Sequence, residues 1–126
     1  MKLLIDTSIL IDFYRKEKKE KSRFYQLIDA NHSFAISVIT EYEILVGSYG
    51  IQDSYWKKLF DEFEILPLSS GIIHEATAAY RALKKANKLI EIPDILIGAT
   101  AKYHQLPLAT LNKKHFSRIG GIKIMS

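Results

Sequence analysis

Lys2-Leu3-Leu4-Ile5-Asp6-Thr7-Ser8-Ile9-Leu10 is the stretch that decides the fold. Lys2 to Ile5 is a short apolar run stopped by polar residues, the pattern of a strand buried on both faces. Asp6, Thr7 and Ser8 then offer side chains that can accept hydrogen bonds from the free N–H groups of a helical first turn. Ile9, Leu10, Ile11 and Phe13 follow as the apolar stripe of that helix. A strand running straight into a helix is the opening of a βαβ unit, and it predicts a parallel sheet.

Working outward, a second helix is predicted from about Lys18 to Ala30, with Phe24, Leu27 and Ile28 inward and Asn31-His32 as its breaker. Ser33 to Val38 reads as the second strand. Thr40 opens a helix through Ile44, Leu45 and Val46, and another is centred on Tyr55, Trp56, Leu59 and Phe60. Glu64 to Leu68 reads as the third strand, with Ser69-Ser70-Gly71 as its exit turn. A long amphipathic helix carries Ile73, Ala76, Tyr80 and Leu83 on one side and ends near Asn87. Pro93-Asp94 starts a helix that is apolar on nearly every side and must therefore be buried. Leu106 to Ala109 and Ile122 to Met125 complete the set as fourth and fifth strands. Strands alternating with helices imply a parallel sheet covered on both faces, whose sites form outside the carboxyl ends of its strands.

Three acids stand where an apolar run gives way to a helix start: Asp6, Glu43 and Asp94. Each has a plain explanation. Asp6 could cap its helix, Thr40-Glu41-Tyr42-Glu43 fits a capping box, and Asp94 could complement a helix dipole. Together they suggest more, because carboxylates packed at one sheet edge raise one another's pKa unless a cation intervenes. Mg²⁺ or Mn²⁺ suits such a site and would support metal-dependent phosphodiester chemistry.

Composition sets the frame. The 126 residues are expected to form a single domain spanning 1–126, and 48% hydrophobic with 25% charged residues is ordinary for a globular protein. No cysteine is present, which excludes disulfides, thiolate metal sites and cysteine nucleophiles. Leu3 to Ile5 is too short for a signal-peptide core, and no uncharged stretch is long enough to span a bilayer. A soluble, cytoplasmic protein is expected. The net charge of +4 suits a polyanionic partner, although the mixed-sign stretch from Arg15 to Arg23 reads first as a solvated surface.

These residues also carry a resemblance. Leu4-Ile5-Asp6-Thr7-Ser8-Ile9-Leu10 resembles the opening motif of the PIN-domain family, and specifically of its VapC-type toxins from prokaryotic toxin–antitoxin pairs. The stretch from Ile36 to Gly47 is similar to the second motif, with Glu43 at the acidic position. The stretch from Pro93 to Ala101 is similar to the third, with Asp94 as its acid, and the stretch from Leu108 to Phe116 resembles the last. The motifs run in order across essentially the whole chain. Their combination is specific, although no single one is.

The resemblance implies a three-layer α/β/α sandwich with a five-stranded parallel sheet. It implies an Mg²⁺- or Mn²⁺-dependent endoribonuclease in which Asp6, Glu43 and Asp94 bind metal and serve catalysis. It further implies an RNA substrate, a homodimer, and a cognate antitoxin whose tail blocks the acidic pocket. Many members carry an acid in the last motif, where this chain has Thr110, Asn112 and His115. A three-carboxylate site without a tightly held second metal is therefore expected.

Thr7 and Ser8 are read as orienting Asp6 or a metal-bound water, with helix capping as the alternative. Thr110, Asn112 and His115 are supporting candidates, and Arg15 is a candidate contact to RNA or antitoxin, each against a plain surface role. Glu91 is a candidate fourth carboxylate against the plainer reading of a solvated turn, Asp12 reads as a solvated helical position, and His32, His74 and His104 show no metal spacing. Tyr14, Tyr42, Tyr49 and Trp56 read as core or dimer-interface residues before base-stacking ones. An aspartyl-phosphate phosphotransferase is the rival enzyme. Ser8 stands where a dehalogenase-like start wants a second acid, and Pro67-Leu68-Ser69 stands where a receiver domain wants its acceptor Asp. The remaining alternatives are a PIN-type nuclease of RNA processing and an inactive PIN-like module that binds RNA or protein.

Overall fold

The computed structural model describes residues 1–125. Four parallel strands form one sheet in the order β3-β2-β1-β4: β1 (Lys2–Ile5), β2 (Ser33–Ser37), β3 (Glu64–Leu66) and β4 (Leu108–Ala109). Leu4 is the register point at the centre, opposite Ala35 on one side and Leu108 on the other. Because side chains alternate along a strand, each one feeds two cores. Leu3, Ile5, Ile36 and Ala109 enter one apolar cluster, while Leu4, Ala35, Leu66 and Leu108 enter the other.

Helices cover both faces. α1 (Thr7–Arg15), α2 (Arg23–Asp29) and α4 (Ile51–Phe60) pack on the Leu3/Ile5 face, together with Ile44 of α3 (Val38–Val46). On the Leu4 face lie α5 (Ser70–Lys85), α6 (Ile92–His104) and the short α7 (Lys113–Phe116). The chain runs from β1 to β2 and β3 on one side and returns to β4 on the other. The strand order thus reverses between β1 and β4, which is where α/β sheets form their binding crevices.

The structure corrects several expectations. The fifth strand is reduced to a single parallel bridge, Leu108 to Ile124. The reason is local: Leu106 still closes the end of α6, its N–H bonded to the Ala101 carbonyl, so β4 is only two residues long, and Leu108 alone pairs outward, donating to the Lys123 carbonyl and accepting from the Met125 N–H. The helix expected from Lys18 to Ala30 is split into a 3₁₀ turn (Lys19–Lys21) and α2, because Lys19 Nζ folds back onto the carbonyls of Phe13 and Tyr14 and Ser22 caps a new start. Ile28 faces solvent. In α5 the inward stripe is Ile72, Ala76 and Leu83, so Ile73 and Tyr80 were placed one position off. Asn87 does follow α5 in a left-handed conformation, φ 56°, as a C-terminal stop requires.

The central packing helix behaves as its sequence demands. Ile95, Ile97, Gly98, Ala99, Thr100 and Ala101 of α6 are all buried. A Cβ on Gly98 would sit 2.6 Å from Ile119 Cδ1 and 3.0 Å from Ile122 Cδ1, so this glycine sets how closely the C-terminal segment approaches. Gly98→Val is accordingly expected to destabilise the fold by about 2 kcal/mol through overpacking. Urea unfolding checks this, and an unchanged midpoint would contradict the close approach.

Candidate metal-binding active site

Asp6 leaves β1 at the strand-order reversal and is 3% exposed. It is the N-cap of α1, and Oδ1 accepts from the Ile9 N–H at 3.3 Å. Capping is only part of its environment. Ser8 Oγ donates to Oδ1 at 2.6 Å, and Thr110 Oγ1, from just beyond β4, donates to Oδ2 at 2.6 Å. The Leu111 N–H donates to Ser8 Oγ and the Asn112 N–H to Thr110 Oγ1, so the loop after β4 is tied to the loop after β1. Burial raises the Asp6 pKa above its ordinary value, and the Ser8, Thr110 and backbone hydrogen bonds hold it down in part.

Glu43 reaches the same edge from α3. The capping box expected at Thr40 is overturned: α3 starts at Val38 and is capped by Ser37, whose Oγ accepts from the Ile39 N–H at 3.0 Å. Thr40 lies inside the first turn, fully buried. Glu43 Oε1 instead accepts from Thr7 Oγ1 at 2.7 Å, and Thr7 Oγ1 also lies 3.2 Å from Thr40 Oγ1. Thr7 thus serves Glu43 rather than Asp6.

Asp94 sits in the first turn of α6, behind Pro93. Its pKa is raised to about 6. Burial is the main cause, followed by the negative charges of Asp6, Glu43 and Glu91, while the positive charge of His115 acts the other way. Among the described residues its carboxylate has no hydrogen-bond or ion-pair partner. Asn112 Nδ2 lies 2.8 Å from His115 Nδ1.

The donor set suits a hard divalent cation. Asp94 feels the charges of Asp6 and Glu43 across the β1–β4 edge, and the hydrogen bonds to Asp6 and Glu43 come from hydroxyls and a backbone N–H, which bring no neutralising charge. Among the described residues no three His, Asp or Glu side chains are drawn together closely enough to form a ready-made cage. That fits Mg²⁺, which keeps several waters and takes one or two carboxylates. Asp6, Asp94 and Glu43 are the groups that could hold such an ion.

The other sequence candidates fall around or away from this edge. Arg15 is exposed and lines two clefts beside the acids, one of about 320 Å³ shared with Glu43 and one of about 550 Å³ shared with Ser8 and Leu111. Asp12 is structural, accepting from Lys16 Nζ at 2.6 Å and from the Arg23 N–H. His32 sits by the N-terminus. Tyr14 stacks near Trp56, which is buried, but Tyr42 and Tyr49 are 66% and 78% exposed and are no part of the core. A separate cleft of about 510 Å³ beside Glu75, Lys102 and Lys123 opens where the chain enters β4, at the opposite edge of the sheet. Sequence reasoning missed Thr40 as a member of this site, because its spacing to Glu43 already matched a cap.

The raised Asp94 pKa has a consequence for stability. Its proton is held up to about 6 in the fold against an ordinary 3.8, so the stability tied to that proton is full below 3.8 and lost as pH rises through about 6. In metal-free protein, Asp94→Asn is expected to melt higher than wild type at neutral pH, with the gap closing toward acid. Thermal unfolding across this range checks it, and a lower Tm for the variant at neutral pH would contradict the electrostatics.

Known proteins share this arrangement of elements. The family model described as PIN domain matches residues 3–122. Ribonuclease VapC1 of Methanocaldococcus jannaschii is 37% identical over 126 residues, covering 98% of this chain and 86% of that protein. A toxin-antitoxin complex from Klebsiella pneumoniae superposes with a TM-score of 0.74 at 34% identity, over 95% of this chain and 94% of the other. VapBC-1 from nontypeable Haemophilus influenzae has the same fold, with a TM-score of 0.84 at 23% identity, over 100% and 98% of the two chains. The chain belongs to the PIN-domain family, among its VapC-type members.

Proposed function

We propose that this chain is a metal-dependent endoribonuclease, the toxin of a toxin–antitoxin pair, with Asp6, Glu43 and Asp94 as its cation-holding and catalytic set. The observation that carries the reading is Asp94, a carboxylate with no partner among the described residues, held beside two further acids at the strand-order reversal. The relatives named ribonuclease VapC support RNA as substrate, and the superposed toxin–antitoxin complexes support an antitoxin partner. A second copy of the chain completes the assembly in this proposal, and Mg²⁺ or Mn²⁺ is the cofactor.

Each group has a definite task. A divalent cation bound here supplies Lewis acidity toward water and toward the phosphate oxygens of RNA. Ser8, the Ile9 N–H and Thr110 fix both oxygens of Asp6, so this carboxylate is oriented before any ligand arrives. Thr7 fixes one oxygen of Glu43. Asp94, without a hydrogen-bond or ion-pair partner among the described residues, would be the third group to hold the ion. Arg15 and Lys16, beside the clefts next to Ser8 and Glu43, hold the RNA backbone through its phosphates. Asn112 and His115 add a polar wall without a fourth acid.

Purified wild-type protein is expected to cut RNA with Mg²⁺ or Mn²⁺ and to lose cleavage with a chelator. Asp6→Asn and Asp94→Asn are each expected to lower the rate by more than about 100-fold while remaining folded by circular dichroism. Full activity in both variants would overturn the site assignment. Arg15→Ala is expected to weaken RNA binding and make it less steeply dependent on salt, as follows when a phosphate contact is removed. An unchanged slope would remove Arg15 from the RNA path.

A further inference from the structure

We propose that Thr40 is a positioning residue, its buried hydroxyl fixing the Thr7 hydroxyl that holds Glu43 for the cation; this rests on the function proposed above. Thr40 is 0% exposed, and a fully buried hydroxyl without a partner is costly. Thr100, also fully buried within a helix, solves this problem locally by donating to the carbonyl of Leu96, four residues back, at 2.8 Å. Thr40 has no such outlet. It stands in the first turn of α3, and the residue four back, Ile36, belongs to β2 rather than to the helix. Its hydroxyl meets Thr7 Oγ1 at 3.2 Å instead, linking residues 33 positions apart.

Thr7 has one hydroxyl proton to give. Ionised Glu43 has none, so the 2.7 Å contact between them takes the Thr7 proton. The Thr40 hydroxyl then donates to Thr7, and the chain Thr40, Thr7, Glu43 runs in one direction with each bond polarising the next. A threonine has more than one accessible χ1 in a helix, and the second contact selects the one that faces Glu43. Glu43 is a long, half-buried side chain of α3, with solvent-facing Tyr42 and Val46 nearby. Pinning Oε1 leaves Oε2 as the oxygen available to a cation. A valine at position 40 would fill the same space but would release Thr7 from this constraint.

The experiment is Mn²⁺ binding to RNA-free protein by isothermal titration calorimetry, for wild type, Thr40→Val, Thr40→Ser, Thr7→Val and the Thr7/Thr40 double valine variant. Thr40→Val is expected to weaken Mn²⁺ binding by about 10-fold, in the range seen when groups behind metal ligands are removed. Thr40→Ser, which keeps the hydroxyl, is expected to bind within about twofold of wild type. In the Thr7→Val background the Thr40→Val change should have no further effect, since both act through one chain. If Thr40→Val does not fold, Thr40→Ala removes the same hydroxyl and gives the same reading. Wild-type affinity in a folded variant lacking the Thr40 hydroxyl, or losses that simply add in the double variant, would overturn this inference and leave the proposed function standing. A wild type that neither binds Mn²⁺ nor cuts RNA would overturn both.

Discussion

Asp6, Glu43 and Asp94 lie at one edge of the sheet, and none of them is ion-paired to Lys or Arg among the described residues. Burial of Asp94 beside two further acids, with no basic side chain to pair it, is the constraint on which this edge of the structure depends. The fold gathers them because its topology leaves no choice: Asp6 exits β1 where the strand order reverses, and α3 and α6 start at the same edge. The consequence is visible in Asp94, whose pKa is pushed up to about 6 by burial and by its acidic neighbours.

The hydrogen bonds around these acids share one chemical character. Ser8, Thr110 and the Ile9 N–H serve Asp6, and Thr7 serves Glu43. Neutral donors satisfy buried oxygens and set their direction without cancelling their charge. Paired Lys or Arg would have stabilised the metal-free fold and weakened its attraction for a cation. The same hydroxyls also join distant parts of the chain, because the Thr110 bond to Asp6 closes a separation of 104 residues. Orientation of the acids and closure of the β1–β4 edge are one structural event.

Much of this was legible in the sequence for identifiable reasons. Asp6 directly follows a buried apolar run, so its place at a strand exit required only the strand's period and length. Pro93-Asp94 before an all-round apolar helix likewise fixed Asp94 at a buried helix start. What failed was local. The box pattern from Thr40 to Glu43 was satisfied on paper, but Ser37 took the cap, which carried Thr40 into the helix and freed Glu43 to meet Thr7. The fifth strand had the right composition, but its partner β4 is only two residues long because Leu106 is still engaged in ending α6, a competition that strand propensity does not register. In α5, Ile72 and Ile73 are equivalent by hydropathy, and only the position of the Ser69 cap decides which one turns inward. Convergence of the three acids depended on spatial relations that no residue spacing encodes.

The most direct test of the central claim is anomalous diffraction from crystals of the protein soaked in Mn²⁺. One strong manganese peak is expected between Asp6 and Asp94, within coordination distance of carboxylate oxygens from both and on the Glu43 side of the β1–β4 edge. A crystal saturated with Mn²⁺ that shows no peak there, or that binds the ion only at other acids such as Asp12 or Glu75, would contradict it.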